Sequence, residues 1–395
     1  MREPPAVDEL VPPERTLLGP GPSNVHPRVL RAMTTPMVGY LDDSYVEIMD
    51  ELQDQLRYLF QTENECTFAV SGTGSAAMET AFANLVEPGE TVLVPSNGYF
   101  GERMGAVASR AGGEIVPMDA PWGEPLDPAD VADAVSTHSP TVIGVVHGET
   151  STGVRQPDID ELARIAHEHD AYLVVDTVAS LGGVEFYTDE WNVDVVYSGS
   201  QKCLSAPPGA SPITFNDRAV EKVRSRDEPV RSWYLDLDGI WEYWDDEPSY
   251  HHTGPMTTTY ALRESLRLLG EEGLEAAWDR HRRVAGALKD GVEAMGLELN
   301  PEDEYWLPTL NAVRVPSGVD DGVVIDRLKD EYGIEIVGGL GALEGEIFRV
   351  GCMGYSARPT NITRFVSAFG AILADEGADV DVDAGVAATS RALDQ

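Results

Sequence analysis

Apolar residues gather first in short, unbroken runs: "CTFAVS" (66–71), "TVLVPS" (91–96), "GEIVPM" (113–118), "TVIGVVH" (141–147), "AYLVVD" (171–176), "VDVVYS" (193–198) and "SPITF" (211–215). Between them lie stretches with a helical period, such as "AAMETAFANLV" and "IDELARIAHEHD". Short apolar strands alternating with amphipathic helices predict an α/β fold with a mostly parallel seven-stranded sheet, covered on both faces. The pattern then changes. Residues 227–259 mix aromatics, Asp, Pro and Thr and read as irregular, and a helical stretch follows over about 260–297. "TLNAVRVP", a helix near 320–332, "IEIVGG", "IFRVG" and a helix near 360–375 predict a smaller α+β unit. The expected division is an N-terminal arm over 1–22, a large domain over 23–272, a small C-terminal domain over 273–375 and an acidic tail over 376–395. The arm is rich in proline and ends in "GPGPSN" (19–24), which suits an ordered loop. The tail is acidic and poor in aromatics, which predicts a frayed or loosely packed end.

Charge narrows the partners. Sixty-eight acidic residues against 28 Lys and Arg give a formal net charge of −40. Phosphate contacts need clustered Lys and Arg, so this balance argues against nucleic acid and against anionic membrane surfaces. The acid is spread along the chain and the apolar period is strong, so disorder accounts for it poorly. Self-repulsion on this scale is screened by molar salt. The composition resembles that of halophile cytoplasmic proteins; a merely acidic mesophile protein is the plainer alternative. "MREPPAVDELVPPERTLL" has no apolar signal core and no run reaches membrane-spanning length, so a soluble cytoplasmic protein is expected. Cys66, Cys203 and Cys352 lack metal-type spacing, and Cys66 and Cys352 read as small core residues.

The acidity makes one lysine conspicuous. Lys222, Lys289 and Lys329 lie on the wet sides of amphipathic helices, whereas Lys202 follows "VDVVYS" and precedes the turn-rich "LSAPPGAS". Taken alone it is a solvated loop lysine or a lysine placed for chemistry at a strand end. In open α/β sheets ligands bind at the carboxyl ends of the strands. After "CTFAVS" comes "GTGSAAME", a glycine-rich turn entering a helix, whose N–H groups and positive end suit an anion, with hydroxyls from Thr73 and Ser75. Such a turn alone is weak evidence, and no Walker-type lysine follows. Phe100 follows "TVLVPS", with core packing as its plain role, and Thr150 follows "TVIGVVH". Asp176 closes "AYLVVD", where it caps the next helix or needs a partner for a buried charge. An anion cradle, an aromatic, a carboxylate and a lysine on one sheet edge suit pyridoxal phosphate. The cradle would hold the phosphate, the lysine would form a Schiff base, the carboxylate would keep the pyridine nitrogen protonated and the aromatic would stack on the ring. His147 at a strand end reads as structural. Adjacent His251 and His252 face different ways, His167 and His169 are two apart on a helix, and no catalytic metal is expected.

Eight motifs together carry a family resemblance: "LLGPGPSNVHPRVL", "SGTGSAAMETAFANLVEPGE", "HGETSTGV", "LVVDTVASLGGVEF", "YSGSQKCLSAPPGASPITF", "YHHTGPMTTTYALRESLRLL", "EIVGGLG" and "FRVG". They resemble the alanine–glyoxylate and serine–pyruvate aminotransferases, in class V of the fold-type I pyridoxal-phosphate enzymes, from about residue 17 to 373. The resemblance implies pyridoxal 5'-phosphate as cofactor, with Lys202 as its lysine and later the proton shuttle. Asp176 pairs with the pyridine nitrogen, and Val178 packs on the ring. Thr73, Gly74, Ser75 and Gln201 bind the phosphate, Thr150 reaches the phenolic oxygen region, and Phe100 stacks. Tyr250 and Thr253 reach the phosphate from the other subunit of a homodimer. Arg349 grips the substrate α-carboxylate, with Gly21 beside the substrate. The animal enzymes typically carry His where this chain has Ser75 and Trp where it has Phe100.

The expected activity is a ping-pong transfer of an amino group from alanine or serine to glyoxylate or pyruvate. Its rivals are a related enzyme for ureidoglycine or aminoethylphosphonate, a lyase, a desulfurase with a reactive loop cysteine, and a non-catalytic binding protein on the same fold.

Overall fold

The computed structural model describes residues 1–245 and 249–394. All seven apolar runs enter one seven-stranded sheet, in the order Thr67–Val70, Ser211–Phe215, Val195–Tyr197, Tyr172–Asp176, Val142–Val146, Thr91–Ser96, Glu114–Asp119. Ser211–Phe215 runs antiparallel to both neighbours. The other pairings are parallel. Helices cover both faces, so Val142–Val146 and Ser211–Phe215 are buried at every position and show no alternation. The edge strand Glu114–Asp119 is the exception. Glu114, Pro117 and Asp119 are exposed and Ile115, Val116 and Met118 half-buried, and charge at its ends blunts an otherwise open edge.

A second core forms around a three-stranded antiparallel sheet of Leu310–Arg314, Ile347–Gly351 and Val337–Gly338. Phe348, Phe365 and Phe369 centre it, with Phe365 and Phe369 stacked at 5.0 Å. The arm contributes here: Thr16–Leu17 pairs in parallel with Ile334–Glu335, and Leu18 is fully buried in this core. The arm thus runs from the small core directly into the loop at Gly21.

Three expectations are corrected. Within the stretch read as irregular, of which residues 246–248 lie outside the described residues, Leu237–Trp244 is a helix. The Asp236 carboxylate caps it by accepting from the Asp238 N–H, and Leu237, Ile240, Tyr243 and Trp244 form its buried face. The helical stretch near 260–297 is two helices, Met256–Glu272 and Leu274–Ala294, parted by Gly273 at φ 86°. The tail is not frayed: Val382–Leu393 is a helix packed on Leu274–Ala294 and Pro359–Asp375. Its contact runs through small residues. A Cβ on Gly385 would lie 2.6 Å from Met295 Cε, and one on Gly291 would meet the Thr389 hydroxyl. Close approach of two helix backbones replaces a wide apolar stripe, which is why hydropathy did not reveal it. Among the described residues no helix is long and apolar enough to cross a membrane.

Candidate active site

Neighbouring parallel strands end level with one another, and this brings the strand-end residues together. Lys202 lies in the turns after Val195–Tyr197, and its ammonium donates to the Pro20 carbonyl. Burial pulls its pKa down to about 8, against the opposing charge of Asp176. Gly21 forms the adjoining wall at φ +107°, where a Cβ would stand 2.9 Å from Lys202 Nζ. Only glycine fits both that backbone and that gap.

Asp176 lines the same cavity, of about 200 Å³. Its Oδ1 accepts from the Val178 N–H at 2.8 Å and its Oδ2 from the Tyr197 hydroxyl at 2.9 Å. Burial raises its pKa to about 6, opposed by those two donors and by the charges of Lys202 and Arg103. The next helix begins only at Asp217, so Asp176 is not a helix cap. Val178 lines the cavity, and its Cγ2 would lie 3.2 Å from a Cβ on Gly74. Thr73, Gly74 and Ser75 also line it, at the start of the helix Gly74–Leu85. The Thr73 side chain makes no capping bond, and first-turn N–H groups have no partner within a helix. Gln201 reaches the cavity with a buried Oε1 that has no partner among the described residues. A buried polar atom of that kind calls for a ligand donor. Phe100 and Thr150 complete the predicted set in this cavity. Larger hollows of about 720 and 470 Å³ lie elsewhere on the surface and hold none of these strand-end groups except the backs of the Lys202 turn.

Besides Gly21, which adjoins it, three predicted residues stand outside that cavity. Arg349 is buried on Ile347–Gly351, where its Nε donates to the Gly338 carbonyl at 2.7 Å and its Nη1 to the Thr150 carbonyl at 3.5 Å. Among the described residues it forms no ion pair within 4.0 Å. Burial draws its pKa down to about 10, opposed by the nearby Glu149. Tyr250 and Thr253 are exposed, and the Tyr250 ring rests 4.9 Å from that of Tyr40.

Other residues at the site escaped the sequence reading. Glu149 is fully buried, and its Oε2 accepts from the N–H groups of Phe100 (3.0 Å) and Gly101 (3.3 Å). Its Oε1 accepts from the Ser151 N–H and hydroxyl. Glu149 thereby caps the helix Tyr99–Ala111 and fixes the backbone of Phe100. Gly98, the N-cap, has no side chain to do so, and a Cβ there would stand 2.6 Å from Glu149 Cδ. The signal was the acidic residue in "GETS", readable only once that turn is known to face "NGYFG". Arg103 lines the cavity and lies over the rings of Phe100 (4.9 Å) and Tyr99 (5.1 Å). Tyr197 sits level with Asp176 on the adjacent strand.

Among the described residues no histidine lines that cavity. His147 is buried with its Nδ1 2.8 Å from Ser180 Oγ, and burial pushes its pKa to about 3. His251 and His252 do not simply diverge: their Nδ1 atoms are 2.8 Å apart, and His252 Nε2 lies 2.6 Å from Ser71 Oγ. Among the described residues no three His, Cys, Asp or Glu side chains converge as a metal site requires.

A family model described as "Aminotransferase class-V" matches residues 17–346. Alanine–glyoxylate aminotransferase of Mus musculus is 43% identical over 90% of this chain and 87% of its own. The crystal structure of an alanine–glyoxylate aminotransferase from Nostoc sp. superposes with a TM-score of 0.92 at 47% identity, over 93% of this chain and 97% of that one. That of the ureidoglycine–glyoxylate aminotransferase from Bacillus subtilis superposes at 0.96 with 39% identity, over 98% and 100%. With a matching family model over most of its length and relatives of this identity, the chain belongs to the class-V family of pyridoxal-phosphate-dependent aminotransferases.

Proposed function

We propose that this enzyme moves an amino group from alanine or serine to a small 2-oxo acid, glyoxylate or pyruvate, with pyridoxal 5'-phosphate held in the cavity at Lys202. One observation carries the reading: a buried lysine shares a cavity with a buried carboxylate that keeps lone pairs for a third donor, and burial lowers the lysine's pKa to about 8. The uncapped helix start at Thr73, with its free first-turn N–H groups, fits the cofactor's phosphate end, and the Gln201 side-chain NH2 can donate to it. When bound, the cofactor supplies an aldehyde that bonds to an amine and a ring that accepts electrons.

The chain's own groups do the rest. Lys202 Nζ, poised near neutrality, moves the proton at the substrate α-carbon. Asp176 holds the ring nitrogen, and Phe100 and Val178 flank the ring. Thr73, Gly74, Ser75 and Gln201 bind the phosphate, and Thr150 reaches the phenolic oxygen. Arg349, a buried cation bonded among the described residues only to carbonyls, takes the substrate carboxylate, which both donor and acceptor carry. Gly21 keeps that approach open. Tyr250 and Thr253, exposed and outside the cavity, serve the partner's phosphate in a homodimer. At −40 per chain, that dimer is expected to need salt.

Ureidoglycine as donor is the second reading, because the Bacillus subtilis relative carries that name. A desulfurase is disfavoured: Cys352 is fully buried and its thiol is pushed up to about 12. The test is a matrix of amino donors against oxo acids with purified enzyme in high salt. Alanine or serine with glyoxylate or pyruvate should turn over fastest. Preference for ureidoglycine would transfer the assignment to the second reading, and no transfer from any donor would sink both.

A further inference from the structure

We propose that Tyr197 is a positioning residue that keeps Asp176 an anion and so sets the acid limit of cofactor binding. The inference rests on the cofactor site proposed above. Tyr197 ends the strand Val195–Tyr197 in parallel register with Asp176, which ends Tyr172–Asp176. Its side chain is fully buried, and among the described residues its hydroxyl has one hydrogen-bond partner, Asp176 Oδ2 at 2.9 Å. The bond is therefore built into the sheet and is not a surface accident. Oδ1 is occupied by the Val178 N–H, and among the described residues the phenol is the sole donor on the other oxygen.

Everything else that faces Asp176 is either charged the right way or silent. Lys202 approaches from the turns after Val195–Tyr197 and Arg103 from the helix Tyr99–Ala111; both favour the carboxylate. His147, beyond the end of Val142–Val146, donates its backbone N–H to the Asp176 carbonyl, and burial keeps its ring neutral. Burial and the Asp176 charge push the Tyr197 phenol well above its ordinary range, so it stays a donor at every working pH. Burial alone drives Asp176 towards its neutral form, and Tyr197 opposes that directly. A protonated Asp176 cannot pair with a protonated ring nitrogen, so cofactor affinity should fall on the acid side as Asp176 titrates.

Tyr197→Phe keeps the ring and removes the donor. A hydrogen bond to a charged group is strong enough that the acid limb of binding should move up by about one pH unit. Cofactor-free wild type and variant would be titrated with pyridoxal 5'-phosphate by equilibrium dialysis from about pH 5 to about pH 8, across the aspartate's shifted range. Affinities should agree within about twofold at the alkaline end, where Asp176 is ionised in both. In an Asp176→Asn background the same change should produce no shift, because the group that titrates is gone. Fluorotyrosine at 197, a stronger donor of nearly the same shape, should move the limb the other way. An unmoved limb in Tyr197→Phe, or a shift that persists with Asn at 176, would leave Tyr197 as core packing. Failure of wild type to bind cofactor at any pH would overturn the site and this inference together.

Discussion

Asp176 and Asp194 lie at opposite edges of the same sheet. Asp176 closes Tyr172–Asp176 at the carboxyl edge, and Asp194 immediately precedes the adjacent parallel strand Val195–Tyr197 at the amino edge. Both are buried, at 4% and 0% exposure. Their surroundings differ in kind. Asp194 Oδ2 meets His167 Nε2 (2.9 Å) and the Leu173 N–H (2.8 Å), while Oδ1 accepts from Asn216 (3.0 Å) and Arg218 (3.0 Å). Burial pushes its pKa up, but His167, the Leu173 N–H and Arg218 outweigh it and the net shift is downward. Among the described residues Asp176 has one donor per oxygen and no cation in contact, and its pKa is raised to about 6. A structural carboxylate is saturated by its own chain. A working one is left short of donors, at a cost to the folded state, for something else to complete.

The largest expected effect tests whether that shortage serves chemistry. Lys202→Ala should lower transamination at least about a thousandfold, since it removes both the amine and the proton carrier. Lys202→Arg should fail as badly, because a guanidinium is never deprotonated at working pH. A direct assay of oxo-acid formation decides it. Either variant working within about tenfold of wild type would take Lys202 out of the mechanism.

Much of this edge was legible from the residues alone. Strand runs buried on both faces have a plain signature, and a parallel sheet converts the residue after each run into a neighbour of the others. That is how Lys202, Asp176, Phe100, Thr150 and the turn at Thr73–Ser75 were placed in one cavity. What stayed hidden depends on register and on pairing across long gaps. Tyr197 reads as one more apolar strand residue until its strand is aligned with that of Asp176. Glu149 reads as a loop acid until its turn meets the head of the helix Tyr99–Ala111. The helix Val382–Leu393 was lost because glycine and threonine, not large apolar residues, make its contact.

The next effect separates the two aspartates by their opposite influence on function and fold. Asp176→Asn should reduce kcat on the order of a hundredfold, as for other groups that support charge in a transition state. Asp194→Asn should leave kcat nearly unchanged but cost about 2–4 kcal/mol of stability, because it strands Arg218 and half of a satisfied network. Cofactor-free Asp176→Asn should instead gain roughly 1–2 kcal/mol, since a disfavoured buried charge is removed. Thermal unfolding of the two cofactor-free variants gives the answer. A fall in melting temperature of similar size in both would mean that the two carboxylates are equivalent and that the comparison has no content.

The smallest effect is the pH dependence of those differences, and the signs are opposed. The folded pKa of Asp194 lies below its unfolded value, so its contribution is present above about pH 4 and is lost as pH falls through the folded value. The folded pKa of Asp176, about 6, lies above its unfolded value. The folded chain then binds more protons between the two, and the stability contributed by Asp176 is fully present below about pH 4 and declines as pH rises through about 6. His147 and His281, each held near 3 by burial, lose stability in the acid direction and would mask this in wild type alone. Subtracting wild type from Asp176→Asn cancels them, and Lys202, with a pKa of about 8, stays charged through most of the window. The stability advantage of Asp176→Asn should therefore be near zero at about pH 4, grow through about pH 6 and level off towards about pH 7. The deficit of Asp194→Asn should instead be level above about pH 5 and shrink below about pH 4. A difference curve for Asp176→Asn that is flat from acid to neutral would mean that Asp176 titrates alike in the folded and unfolded chain, and the carboxyl edge would hold no unmet charge.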